Sequence, residues 1–160
     1  MDFTIFTLIL LGVVLVYLIA GIRIVPQAEQ QVIERLGRYH RTLSGGLNFI
    51  IPVIDRVRAT FNTQEQVIDI PIQKVITKDN VSITIDGLVF MRISIARKAT
   101  YEILDLKHAI SQLAQTTLRS EIGKMDLDDT LSSRDTLNAT LLMALDAASA
   151  NWGAKVTRVE

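Results

Sequence analysis

Lys78-Asp79-Asn80-Val81-Ser82-Ile83-Thr84-Ile85-Asp86 is the stretch on which the fold class turns. Val81, Ile83 and Ile85 alternate with Ser82, Thr84 and Asp86, the two-residue period of a half-buried strand. Lys78-Asp79-Asn80 just before it is turn chemistry, so residues 73–76 and 81–95 read as the two arms of a hairpin. Upstream, residues 30–37 and 47–57 read as strands separated by a turn at Ser44-Gly45-Gly46. Residues 67–72 are a third, with Pro71 marking an edge or an end because proline gives no amide to a ladder. Beyond Ile95 the period lengthens. Leu106, Ile110, Leu113, Thr117 and Ile122 recur at helical spacing, as do Leu137, Leu141, Leu145 and Ala148. Gly123 and Asn151-Trp152-Gly153 are stop signals, and residues 154–159 read as a closing strand. The body is therefore α+β.

At the N-terminus the character changes. Residues 3–22 form a run of twenty without a formal charge, fourteen of them Leu, Ile, Val or Phe. As a helix this run spans ~30 Å, the thickness of the bilayer hydrocarbon. Insertion is favoured by about 4–8 kcal/mol before the threonines and glycines are discounted. A buried core helix would show one apolar stripe rather than an apolar surface all round. A cleaved signal peptide would carry a basic start and a shorter apolar stretch. The run reads as a retained transmembrane anchor, with Phe3, Ile5, Phe6, Leu8, Leu11, Val14, Tyr17, Leu18 and Ile22 facing lipid and Val25-Pro26 ending the helix. Only Asp2 precedes it, whereas Arg23, Arg35, Arg38 and Arg41 follow. The positive-inside rule then makes this a single-pass protein of the cell (inner) membrane with a cytoplasmic body.

Composition removes several function classes. The 160 residues contain no cysteine, 2 histidines, 17 basic and 17 acidic side chains, and 6% aromatics. Disulfides, thiolate nucleophiles and Cys-ligated metals are excluded, and the even charge balance argues against a nucleic-acid partner. There is no G-x-S-x-G, phosphate loop or H-E-x-x-H. His40 and His108 read as solvated residues. Asp126, Asp128 and Asp129 read as acidic residues opening a short helix rather than a cation site, and Ser132-Ser133 as a cap for the next one. A hydrolase built on Ser120, Lys124 and Asp126 would have no oxyanion hole. No enzyme activity, cofactor or metal is expected.

Two features point to membrane work beyond the anchor. Leu47, Phe49, Ile50, Ile51, Pro52 and Val53 belong to an apolar run too short to span, read either as a core strand or as a loop dipping into the bilayer. Arg23, Arg35, Arg38, Arg56 and Arg58 lie near the anchor or that run, where juxtamembrane cations attract anionic head groups. Anchoring confines copies to a plane and raises their effective concentration, so weak lateral contacts suffice for assembly. Arg119, Glu121, Lys124 and Asp126, on helix surfaces of mixed charge, are candidate subunit contacts. The rival reading is an anchored binding module that recruits one partner without assembling.

The segments Ile24-Val25-Pro26-Gln27, Val32-Ile33-Glu34-Arg35-Leu36-Gly37-Arg38-Tyr39 and Gly46-Leu47-Asn48-Phe49-Ile50-Ile51-Pro52 resemble the opening of stomatin-like proteins. The resemblance continues through Val75-Ile76-Thr77-Lys78-Asp79-Asn80-Val81, Gln112-Leu113-Ala114-Gln115-Thr116-Thr117-Leu118-Arg119 and Trp152-Gly153-Ala154-Lys155-Val156. These proteins belong to the SPFH superfamily with prohibitins, flotillins and the HflK/HflC pair, and the bacterial slipin or paraslipin branch looks most similar. The resemblance implies an anchor over 1–24, a membrane-proximal SPFH1-like sheet subdomain over 25–95 and a helical SPFH2-like subdomain over 96–160. It implies a non-enzymatic scaffold that forms homo-oligomeric rings or cages around a membrane microdomain. The partners it implies are the lipid bilayer, membrane AAA proteases, NfeD-type proteins and channels. Ala28, Gly45 and Ile95-Ala96-Arg97 depart from the family pattern. Relatives continue into a long charged helix, so this sequence reads as truncated before a coiled-coil region.

Overall fold

The computed structural model describes the backbone of residues 2–160 and the side chains of residues 4–160. Contacts divide the chain into two units, one up to Asn62 and one from Thr63 to Glu160. The boundary implied by the family resemblance, at 95/96, cuts the chain elsewhere. It would separate a sheet from the helices that cover it.

The first unit begins with α1 (Asp2–Ala20), followed by β1 (Ile22–Val25), β2 (Glu29–Arg35), β3 (Arg38–Leu43), β4 (Gly46–Phe49) and β5 (Asp55–Asn62). Every described side chain of α1 is exposed. Among the described residues no helix is long and apolar enough to cross a membrane. The helix stops at Ala20, five residues earlier than Val25-Pro26 would have stopped it. Ile22 is thus not part of the helix but the first residue of β1. Gly21 explains the early stop. A side chain on it would lie 2.6 Å from the Ile50 carbonyl oxygen, so only glycine lets the chain pass there, and Ile50 N–H bonds the Gly21 carbonyl at 2.8 Å.

β1 pairs antiparallel with β4 as a two-stranded ribbon, Ile22 opposite Phe49 and Ile24 opposite Leu47. The remaining strands form an antiparallel sheet in the order β3-β2-β5. Leu36-Gly37 joins β2 to β3 with both residues at positive φ, 49° and 81°, as a two-residue hairpin loop of matching twist requires. The run 47–57 is not one strand. It divides into β4, an irregular segment and the start of β5, because Ile51 and Val53 leave the pleat to close the loop. Val25, Ile33 and Leu43 form the core of this unit, with Ile50 and Val57 packed against them.

The second unit contains β6 (Gln66–Ile76), β7 (Ser82–Ile93), α2 (Ala96–Tyr101), α3 (Leu106–Ile122), α4 (Leu127–Ser132), α5 (Arg134–Ser149), a single 3₁₀ turn and β8 (Ala154–Val159). Its sheet runs β6-β7-β8, all antiparallel. The expected hairpin is present, but 67–72 and 73–76 are one strand rather than two. The register slips between Ile70 and Gln73, which takes the amide-less Pro71 out of the ladder. The turn is closed by the Thr77 hydroxyl, which accepts from Val81 N–H at 3.1 Å, while Asn80 adopts φ 65°. Asp79 is held below the usual carboxylate range by the Thr77 hydroxyl and, more weakly, by the Leu127 amide.

α3 covers β6, and α5 covers β8 and α3. The buried stripe of α3 is Leu106, Ile110, Ala114, Leu118 and Ile122, so Leu113 and Thr117 flank the core rather than fill it. His108 matters through its backbone, since its N–H bonds the Asp105 carboxylate at 3.0 Å to cap α3. Asp126 precedes α4, as the acidic cluster implied. Ser133 stands at the start of α5 but makes no side-chain cap bond. Its ψ of 34° departs from the extended backbone that capping uses.

Candidate functional site

The end of the first unit that joins α1 gathers most of the residues singled out for membrane work. On the β1–β4 ribbon the cross-strand pairs Ile22–Phe49 and Ile24–Leu47 share one face. All four are exposed, Ile24 at 74% and Leu47 at 76%. No strand or helix of the unit covers that face, although neighbouring apolar pairs of this kind ordinarily sit in a core.

The segment after β4 is held beside α1. Tyr17 Oη donates to the Pro52 carbonyl at 2.7 Å, which places the loop level with the last turn of the helix. Within the loop, Ile50 turns inward onto the core and Val53 turns outward, 92% exposed at φ 79°. The apolar run is therefore divided, with Ile50 packed against the core and Leu47, Phe49 and Val53 exposed. Ile51 contributes its backbone, donating to Asp55 Oδ2 at 2.9 Å.

Asp55 is the electrostatic centre of this end. Its side chain is fully buried, and Arg35 donates to it twice, Nε to Oδ1 at 2.7 Å and Nη2 to Oδ2 at 3.0 Å. That bidentate geometry is among the stronger ion pairs available to a protein. The Arg35 hydrogen bond, helped by the Ile51 amide and the nearby His40, lowers the Asp55 pKa to about 2, and Asp55 in turn raises that of Arg35. The sequence offers no sign of this pair, because twenty residues separate its members and strand pairing alone brings them together.

Arg35 is consequently not a free head-group ligand; its fork is used inside the unit. Arg23 reaches Gln31 Oε1 at 3.3 Å and Arg58 approaches Glu34 at 3.7 Å, both while remaining exposed. Arg41 donates to the Phe49 carbonyl and so ties β3 to β4. Arg38 and Arg56 are exposed and sit at the same end of the sheet as the loop, since Arg38 and Asp55 are both opposite Arg35, and Arg56 is opposite Glu34. Of the anchor residues, Ile5, Phe6, Leu8, Leu11, Val14, Tyr17 and Leu18 lie exposed on α1. The side chain of Phe3 falls outside the described residues.

The candidate subunit contacts lie in the second unit and are engaged locally. Arg119 donates to Gln73 Oε1 at 2.6 Å, Lys124 to Glu121 at 2.7 Å, and Asp126 lies 3.9 Å from Lys78. Lys124 thus points its ammonium at Glu121.

Residues 23–160 match the SPFH domain / Band 7 family over the whole of both sheets. The chain belongs to this family. It is 46% identical to human mitochondrial stomatin-like protein 2 over 136 residues, covering 85% of this chain and 38% of that protein. An uncharacterised protein of Mycobacterium tuberculosis is 45% identical over 157 residues, 96% of this chain and 41% of the relative. A stomatin-like protein of Caenorhabditis elegans is 43% identical over 139 residues, 87% of this chain and 43% of the relative. The chain spans about two-fifths of the length of these relatives. SPFH and stomatin-like proteins are in general membrane-associated, non-enzymatic scaffolds, which agrees with the stomatin-like resemblance of the sequence.

Proposed function

We propose that this SPFH chain is a single-pass membrane scaffold. α1, with the uncharged residues that flank it, anchors the body on the cytoplasmic face of the cell membrane, and copies pack side by side into rings or cages that organise a bilayer patch. The observation that carries this reading is that α1 buries none of its described side chains against the body. A water-exposed helix of Leu, Ile, Val and Phe has no stable place in solution, whereas lipid satisfies all its faces at once. Exposed arginines at the same end of the unit suit an anionic surface. Modulation of AAA proteases, NfeD-type proteins or channels is the further role proposed for such an assembly.

The test is particle mass after native extraction into nanodiscs. A large, narrow mass distribution is the expected result. A monomeric particle would overturn lateral assembly by this chain and favour an anchored module that binds a single partner.

A further inference from the structure

In the second unit β7 outruns the strand beside it. β7 extends from Ser82 to Ile93, whereas β8 pairs with it only from Val89 to Ile93. Leu88 and Glu160 exchange the last two hydrogen bonds, at 2.7 Å and 2.9 Å. Along an antiparallel strand successive residues turn their amide and carbonyl to opposite sides. The amides and carbonyls of Asp86 and Thr84 therefore point the same way as those of Leu88, and no strand among the described residues meets them there. Those of Ile85 and Ile83 turn to β6 instead.

Helices roof this open side. α3, α4 and α5 enclose with it a cavity of about 650 Å³, within the range of ligand clefts. Ile83, Ile85, Leu118, Ile122, Leu131 and Leu137 supply its apolar wall. Arg134 and Asn138, one turn apart on α5, line the same cavity, and neither side chain has a hydrogen bond or ion pair among the described residues. The Val156 N–H donates to Asp146 at 3.2 Å, which pins α5 to β8 near the end of the helix. From Asp146 back to Arg134 the helix is ~18 Å long, and from Val156 on to Glu160 the strand is ~13 Å long. Arg134 thus stands past the end of β8, over the unpaired stretch of β7. The acidic Asp86 and Glu160 belong to the outer face of the sheet, Glu160 in a pair with Arg158 at 3.1 Å. The free charge on the helix side is cationic.

We infer that this groove takes an extended peptide of a partner protein, added to β7 as a strand in line with β8, with alternate apolar side chains in the cavity and a carboxylate on Arg134. Main-chain pairing supplies the affinity in this mode of recognition, and the pockets for alternate side chains supply the specificity. The site lies wholly in the second unit, so it stands or falls apart from the membrane anchor.

The probes are fluorescent hexapeptides that alternate Thr with Val, Leu or Ile and end in Asp, added to the full chain in nanodiscs. The expected result is saturable binding with about tenfold slower hydrogen exchange at the amides of Asp86 and Thr84. The amides of Ile85 and Ile83, already turned to β6, are expected to be unchanged. Arg134→Glu weakens binding about tenfold and regains it for peptides ending in Lys. Binding by none of the peptides overturns the groove as a peptide site. Binding that leaves both amides exchanging at their free rate overturns strand addition. Equal affinity of the parent chain and Arg134→Glu for the Asp-ended and Lys-ended peptides overturns the role given to Arg134. Slow exchange at Asp86 and Thr84 before any peptide is added assigns this side of β7 to the protein itself, in its own chain or a second copy, and overturns a partner peptide.

Discussion

Asp55→Ala is expected to destabilise the first unit by about 3 kcal/mol, because it removes the acceptor of a buried bidentate arginine and of the Ile51 amide together. Arg35→Ala leaves a buried carboxylate unpaired and costs a comparable amount. The double variant costs less than the sum, since each single change already destroys the shared interaction. Hydrogen exchange at the amides of β2 in detergent reads the loss. The same pair carries a pH signature. The folded pKa of Asp55, about 2, lies below the usual 3.8. Its contribution is therefore complete above the unfolded value and fades as pH falls from about 4 towards 2. An acid titration of the parent chain shows this limb, and Asp55→Asn lacks it. An unchanged acid limb in Asp55→Asn would assign the loss to other carboxylates.

Gly153→Ala is expected to destabilise the second unit by about 3 kcal/mol, combining a disfavoured left-handed backbone with overpacking. Gly153 adopts φ +73°, and a methyl on it would run into the Ile95 carbonyl oxygen and lie 2.8 Å from Lys98 Cβ. Neither neighbour can yield easily, because the Gly153 carbonyl is itself gripped by the amides of Ser94 and Ile95, each at 2.9 Å. This knot joins the end of β7, the start of α2 and the entry to β8. Trp152, the sole tryptophan, lies next to it, so its fluorescence in a urea titration measures the loss. A shift within about 0.5 kcal/mol, the range of an ordinary surface change, would show that the turn relaxes around the added methyl.

The second unit was the more legible of the two in sequence. Its hairpin, α3, α5 and β8 carry strong periods with turn residues between them, and local chemistry agrees with the fold. α2 gives no such signal, since it is short, lacks a side-chain cap and begins in the segment that departs from the family pattern. In the first unit local signals mislead. β3 is an edge strand whose residues Arg38 to Arg41 are all exposed, so it shows no alternation and was not anticipated. Ile22 and Ile24 prolong an apolar run and look like helix, although pairing with Phe49 and Leu47 makes them strand. Arg35 reads as one basic residue among several, yet burial of Asp55 on a distant strand gives it another role. Exposure at Leu36 and Val53 is equally invisible, because nothing in a lone apolar residue says which way it faces. The apolar run and the arginines are visible in the sequence, and only the pairing of strands sorted them into core, ion pair and surface.

The order of the sheet β6-β7-β8 also sets the order in which the protein can be made. β6 and β7 adjoin in sequence and can pair as soon as both are synthesised. β8 meets β7 only after four helices have intervened, a closure over about 60 residues. During that interval Val89, Met91 and Ile93 present an open apolar edge on a growing chain. Such an edge is a template for wrong partners, including the same strand on the next nascent copy. The chain therefore carries its greatest risk of misassembly in the seconds before β8 leaves the ribosome.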